Sequence, residues 1–355
     1  MVLHPEQYAE IRKSLDECKR PLFFFDDDPD GTCAFLLLYR YKREGTGVPV
    51  KSAPNLTAQF LSKVREYGPD LILVLDKPLI DQDFLDGADC PVIWIDHHGH
   101  VKRERVRYYN PRDNNPNDIT STAINAYYVG QQKEDMWIAM MGGVGDWQLP
   151  PFTKEFCEQY PDLLDKDVKR PEDALFASKL GRLIKILSFV IKGKTSEVIK
   201  CIKIMTRIKS PYEILREETP QGKYIMKRAK QIEERYDELL KMAMKKRSKD
   251  LLLIFTYQDD KMSFTKEMSN ELLYKFPNKI IVAGREKSGE LKLSLRSRDY
   301  LLPPLVQKAL EGLEGYGGGH EHACGTNVKV GQFEQFIEQF RTAMKEQGKE
   351  KKGRK

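Results

Sequence analysis

PLFFFDDDPDG (residues 21–31) is an unbroken apolar run that gives way at once to four aspartates, a proline and a glycine. An apolar run this short, closed by turn residues, predicts a strand with both faces buried, as in a parallel sheet covered on both sides. TCAFLLLYRYKR (32–43) then reads as a helix. LILVLD (71–76) and PVIWID (91–96) repeat the grammar, each a continuous apolar run ending in aspartate. Helices are expected at 56–67 and 120–130. Buried strands alternating with helices predict an α/β domain.

The chain has 355 residues, too many for one ordinary core, and suits two domains. Residues 174–209 read as purely helical, with Leu183, Ile184, Leu187, Val190 and Ile191 as their apolar positions. Residues 220–249 form one long, charged, amphipathic helix whose sparse apolar stripe suits a bridge between domains. Strands return at 251–255, 279–284 and 291–296, followed by a glycine-rich segment and a last helix at 332–346. The expected organisation is an α/β catalytic domain at 1–215, including a basic helical part at 174–210. A linker helix (216–249), a smaller α/β substrate-binding domain (250–346) and a disordered basic tail (347–355) follow.

Hydrophobic residues make up 40% and charged residues 32%, a soluble composition. No apolar run approaches the ~20 residues that span a bilayer, and the start lacks a signal-peptide pattern. A cytoplasmic protein without a membrane partner is expected. The six cysteines are scattered without a CxxC pair, against a disulfide framework or zinc knuckle. A net charge of +6 is compatible with a polyanionic partner. Between 176 and 210, Lys179, Arg182, Lys185, Lys192, Lys194, Lys200, Lys203, Arg207 and Lys209 face only Glu197. This stretch reads equally as a solvated face or a nucleic-acid track, with a membrane-surface helix as the third reading.

Five of the six histidines fall in two clusters, His97, His98 and His100, and His320 and His322. The first adjoins a set of carboxylates. The three strands end in Asp26, Asp28 and Asp30, in Asp76, and in Asp96 followed by His97 and His98. GGVGDW (142–147) adds Asp146 at the end of a helical run. Ligands of open parallel sheets bind outside the carboxyl ends of the strands. A lone DPDG is ordinarily a turn, and a lone strand-terminal aspartate a helix cap. Four such segments in one crevice are different, because like charges about 4 Å apart repel by about 4 kcal/mol at an effective dielectric of about 20. Such convergence requires cations. Carboxylates with imidazole suit Mn²⁺, with Mg²⁺ or Zn²⁺ less favoured. A pair of ions could activate a water and stabilise a leaving oxygen at phosphorus.

The ordered set DDDPDG, LILVLD, IDHHGH and GGVGDW resembles the four motifs of the DHH phosphoesterases. That family includes RecJ-like exonucleases, oligoribonucleases, cyclic-dinucleotide phosphodiesterases and family II pyrophosphatases. GYGGGHEHACG (315–325) resembles the glycine-rich signature of the associated substrate-binding domain, and LKLSLRSRD (291–299) the arginine-bearing strand before it. The resemblance implies metal ligands Asp26, Asp28, Asp30, Asp76, His97 and Asp146, with Asp76 bridging two divalent ions. It implies that His98 contacts the phosphate and that Asp96 orients the histidine pair. Arg296, Ser297, Gly318, Gly319 and His320 are implied to hold the substrate phosphate or terminal nucleotide. The first motif opens with Asp26 and has Thr32 after Gly31, the RecJ-like, archaeal-type form rather than the histidine-first form of pyrophosphatases. Asp27 makes this motif unusually acidic and is a candidate to replace a neighbouring ligand.

The expected activity is metal-dependent exonuclease action on single-stranded DNA or RNA. The first alternative is a phosphodiesterase for short oligonucleotides or cyclic dinucleotides. A non-catalytic replication or repair scaffold is the second, and replication or repair proteins are candidate partners in either case. His100 reads as a polar loop residue, His322 as structural, His4 as surface, and Trp147 as packing beside the site, with base stacking the sharper alternative.

Overall fold

The computed structural model describes residues 3–51, 55–259 and 261–353, with side chains to residue 347. It divides into two compact units, Met1–Lys230 and Gln231–Lys355.

The first unit is built on strands β1 (Pro21–Asp26), β2 (Thr46–Val50), β3 (Asn55–Leu56), β4 (Leu71–Leu75), β5 (Leu79–Ile80), β6 (Val92–Ile95) and β7 (Arg107–Tyr109). Five of them form a sheet in the order β2-β1-β4-β6-β7, and β3 pairs separately with β5. Every pairing is parallel. Successive side chains enter different cores. Phe23, Phe25, Leu73, Leu75, Ile93 and Ile95 pack with the helices of one face. Leu22, Phe24, Ile72, Val74, Val92 and Trp94 pack in a separate cluster on the other. This two-sided burial is why the runs are apolar at every position. Register sets Phe25 beside Leu75 and Leu75 beside Ile95, so the residues that follow at the carboxyl edge are neighbours.

Two expectations about helices need correcting. Within 56–67, Leu56 belongs to β3, a 3₁₀ turn covers Ala58–Phe60, and only Leu61–Tyr67 is α-helical. Leu56 is drawn into pairing with Ile80, a non-local contact that local pattern does not encode. The stretch 174–209 is three helices, Pro171–Ala177, Lys179–Val190 and Thr195–Met205. The first break falls at Ser178, whose hydroxyl accepts the Gly181 N–H and caps the following helix. No described helix is long and apolar enough to cross a membrane.

The long helix Pro220–Lys245 crosses the boundary between the units. Its start places Ile225, Met226 and Ala229 in the first unit's core. Further along, the Tyr236 hydroxyl donates to Glu271 at 2.7 Å within the second unit. That unit carries β8 (Leu252–Gln258), β9 (Ile280–Lys287), β10 (Glu290–Arg296), β11 (Gly315–His320) and β12 (Ala323–Lys329). They form one sheet in the order β11-β12-β10-β9-β8, parallel between β8 and β9 and antiparallel elsewhere. The glycine-rich segment is therefore an edge strand. The final helix, expected to close near 346, runs to Gly353, because Glu, Gln and Lys are good helix formers. The remainder of the expected tail, and its side chains from 348, lie outside the described residues.

Candidate metal centre

The sheet register brings Asp26, Asp76 and Asp96 to one edge, and the loops and helices add the rest. Asp28 caps the helix Pro29–Lys42 by accepting the Gly31 N–H at 3.0 Å, and Asp30 lies in its first turn, 1% exposed. The two carboxylate oxygens of Asp30 accept the N–H groups of Thr122 and Ala123, both at 2.8 Å, at the start of the helix Thr122–Gly130. Asp76 is 2% exposed and has a left-handed backbone, φ 57°. Its N–H donates to Ile95 O at 2.9 Å and its carboxylate accepts the Thr122 hydroxyl at 3.2 Å. A non-glycine residue held in this region is a local strain of the kind that clusters at functional sites. Asp146 ends the helix Met136–Gly145. A Cβ on Gly142 of that helix would meet the Cβ of Ala123 at 2.3 Å, so glycine permits the close packing.

His97 lies at the centre. Its Nδ1 faces Ile119 O at 3.1 Å, and its Nε2 lies 3.3 Å from Asp76, 3.6 Å from Asp146 and 3.8 Å from Asp30. A proton held on Nδ1 by that carbonyl leaves the Nε2 lone pair turned toward the carboxylates, the arrangement of a metal-ligating imidazole. His98 instead pairs through Nδ1 with Asp96 at 2.7 Å. Asp96 also accepts the His98 N–H at 3.0 Å and the Tyr108 hydroxyl at 3.2 Å.

Without cations this pocket is overloaded with negative charge. Burial, then the neighbouring Asp28, pushes the Asp26 carboxyl up to about 6, against the pull of Lys77. Burial also raises Asp30, though His97 lowers it, and it raises Asp76 well above the carboxylate range with help from Asp30 and Asp28. Burial opposes protonation of His97, but Asp146 and Asp30 outweigh it and raise its pKa. For His98 the Asp96 hydrogen bond and charge likewise overcome burial. Three sets of donors each lie within 4.8 Å of one another: Asp30, His97 and Asp146; Asp26, Asp28 and Asp76; and Asp76, His97 and His98. The donor chemistry and the unrelieved charge fit divalent cations.

The structure brings together all six expected ligands, with Asp96 and His98 beside them. It adds residues the sequence reading missed. Lys77 is fully buried and its ammonium lies 2.6 Å from Asp26. Tyr108 and Asn110 brace the Asp96–His98 pair, Asn110 donating to His98 O at 3.0 Å, and Arg112 donates to His97 O at 2.8 Å. The one signal available for Lys77 was a lysine at the end of a strand buried on both faces, where that residue type is rare. Of the remaining candidates, His100 pairs with Asp113 at 2.7 Å and Trp147 sets its edge against Phe176 at 6.0 Å.

In the second unit, Arg296, Ala323 and His320 occupy one row across β10, β12 and β11. Arg296 Nε donates to Asn270 at 2.7 Å, and burial lowers its pKa to about 10, leaving it charged at neutral pH. Ser297 is 2% exposed and its hydroxyl oxygen accepts the Tyr300 N–H at 3.1 Å. Gly318 has open space where a Cβ would stand. Gly319, at φ +146°, would drive one to 2.3 Å from Ala323 O.

No curated protein sequence matches the chain. Residues 250–346 match the DHHA1 domain. Among solved structures, RecJ from Thermus thermophilus in complex with Mn²⁺ is similar over 97% of this chain, with a TM-score of 0.65 at 15% identity. This chain spans 55% of that protein's length. A pGpG-specific phosphodiesterase, PggH, from Vibrio cholerae is similar over 92% of this chain and 99% of its own, with a TM-score of 0.51 at 14% identity. CDC45 from Entamoeba histolytica is similar over 97% and 99%, with a TM-score of 0.53 at 9% identity. The fold is thus that of the DHH proteins, a parallel-sheet unit followed by a smaller α/β unit. Residues 250–346 carry a DHHA1 domain, and the fold of the chain is shared with RecJ and with a solved DHH domain.

Proposed function

We propose that the chain is a hydrolase that cleaves terminal phosphodiester bonds of single-stranded nucleic acid with two divalent ions, Mn²⁺ foremost and Mg²⁺ as the alternative. The observation that carries this reading is the convergence of Asp26, Asp28, Asp30, Asp76, His97 and Asp146 on one edge of the sheet. Asp30, His97 and Asp146 would hold one ion and Asp26 and Asp28 the other, with Asp76 bridging. When bound, the ions supply polarisation of the phosphoryl oxygen and a water acidic enough to attack near neutral pH. His98, bonded through Nδ1 to Asp96, would turn Nε2 toward a phosphate oxygen, while Tyr108 holds Asp96 and Asn110 holds the His98 carbonyl. Arg296, Ser297, Gly318, Gly319 and His320 bind the terminal nucleotide.

Longer substrates are favoured over dinucleotides by the basic segment 179–209 of the first unit, where Lys179, Lys194, Lys200, Lys203, Arg207 and Lys209 are exposed. Six free cysteines among the described residues fit a protein of the reducing cytoplasm, where replication or repair proteins would be its partners. The test is digestion of end-labelled single strands of graded length with Mn²⁺ and with Mg²⁺. Release of terminal nucleotides from long strands supports the reading, hydrolysis of dinucleotides alone favours the short-substrate phosphodiesterase, and no metal-dependent turnover favours a scaffold.

A further inference from the structure

Lys77 stands inside the ligand set and has no place in the mechanism above. It follows Asp76 directly, is fully buried, and its ammonium lies 2.6 Å from Asp26. Asp26 is one of the three carboxylates, with Asp28 and Asp76, grouped closely enough to hold an ion. A fixed positive charge therefore already sits on one member of that group. The lysine is anchored by its neighbours. The Asp76 N–H is bonded to Ile95 O at 2.9 Å, and Lys77 O accepts the indole N–H of Trp94 at 2.9 Å. Trp94 is itself fully buried and stacks on Tyr108 with ring centroids 3.9 Å apart. The backbone on both sides of the lysine is thus held by β6, and its ammonium is enclosed rather than hydrated.

The group formed by Asp30, His97 and Asp146 differs in kind. There the imidazole Nε2 faces the carboxylates, and Asp30 is oriented by two backbone N–H groups before any ion arrives. That position is preorganised for a cation.

We propose that Lys77 is a built-in cation that makes the two ion positions unequal. The first ion binds tightly at Asp30, Asp76, His97 and Asp146. The second binds at Asp26, Asp28 and Asp76 only in competition with the Lys77 ammonium for Asp26. The protein then rests with one ion, and the dinuclear state forms only when divalent metal is plentiful. This inference rests on the metal-dependent reading above and adds which of the two positions limits the assembly.

The experiment is a Mn²⁺ titration of the full chain without substrate, following free Mn²⁺ by electron paramagnetic resonance. Wild type is expected to show two classes of site separated by at least about tenfold in affinity, the scale on which groups touching a metal ligand tune binding. The exchange-coupled signal of a Mn²⁺ pair should appear only with the second class. Lys77→Met, which keeps the apolar stem and removes the charge, should tighten the second class by about tenfold or more and bring the coupled signal in at lower Mn²⁺. Lys77→Gln serves where Met does not fold, and Lys77→Arg, which keeps the charge, should leave the second class weak. Two equal sites in wild type, or a second class unmoved in the neutral variants, overturns the proposal. Absence of nuclease turnover alongside the expected titration would instead count against the assigned activity, so the two failures are separable.

Discussion

Asp76 offers the sharpest test, because its charge and its backbone act in opposite directions. In the metal-free protein it is almost fully buried beside Asp30, Asp28 and Asp26, which with burial itself hold its carboxyl well above the ordinary range. One unrelieved like-charge contact near 4 Å would cost about 4 kcal/mol at an effective dielectric of about 20. Proton uptake relieves much of this, so removing the carboxylate should stabilise the metal-free fold by about 1–2 kcal/mol. The backbone at φ 57° is tolerated by asparagine, whereas alanine there costs about 1–2 kcal/mol. Asp76→Asn should therefore melt about 2–8 °C above wild type in EDTA, and Asp76→Ala should melt close to wild type, at about 2–4 °C per kcal/mol for a unit of this size. With Mn²⁺ at about a hundred times its Kd the order reverses, since wild type gains about 2.7 kcal/mol that neither variant can match. Both variants should lose metal-dependent turnover. Differential scanning calorimetry with EDTA and with Mn²⁺ is the assay. The reasoning is refuted if Asp76→Asn melts at or below wild type in EDTA, or if it gains as much from Mn²⁺ as wild type does.

Other outcomes follow from the same geometry. Arg296→Ala and His320→Ala should weaken substrate binding and leave metal content unchanged by elemental analysis; loss of metal in either would sink the assigned division of labour. Ligand carboxylates must be deprotonated to take an ion. Asp26 is pushed up to about 6 and Asp30 and Asp76 are also raised, so the metal-free fold binds extra protons and loses stability as pH rises through that range, while Mn²⁺ binding strengthens. The rise in melting temperature on adding Mn²⁺ should accordingly fade on acidification near pH 6; persistence to about pH 4, where ordinary carboxylates titrate, would contradict it. Catalytically inactive protein should bind a twenty-nucleotide strand with a slope of log affinity against log salt near −3 if about four phosphates are neutralised. Replacing Lys200, Lys203, Arg207 and Lys209 with glutamine should flatten that slope without affecting dinucleotide hydrolysis, and an unchanged slope would leave these exposed residues as a solvated face.

The amino-acid sequence by itself determined the three central strands of the first sheet and most of its chemistry, but not the flanking strands β2 and β7. Strands buried on both faces have no polar alternation to blur them, so 21–26, 71–76 and 91–96 were legible as parallel strands. Because ligands of such sheets gather at the carboxyl ends, the aspartates closing those runs marked the site before any contact was known. Helical breaks within 174–209, the pairing of Leu56 with Ile80, and the pairing of the glycine-rich segment as β11 were not legible. The two pairings depend on partners distant in the chain, which local pattern does not carry; the breaks, at the capping Ser178 and near Gly193 with φ 94°, rest on single residues inside an otherwise continuous helical periodicity. Only the tertiary structure decided how the charges are shared. It turned the Nε2 of His97 toward Asp30, Asp76 and Asp146, and gave His98 to Asp96. It also enclosed the Lys77 ammonium against Asp26, 51 positions away in sequence. A lysine beside an aspartate in a sequence shows two charges; which carboxylate the lysine neutralises depends on strand register and on the burial that keeps water from doing so instead.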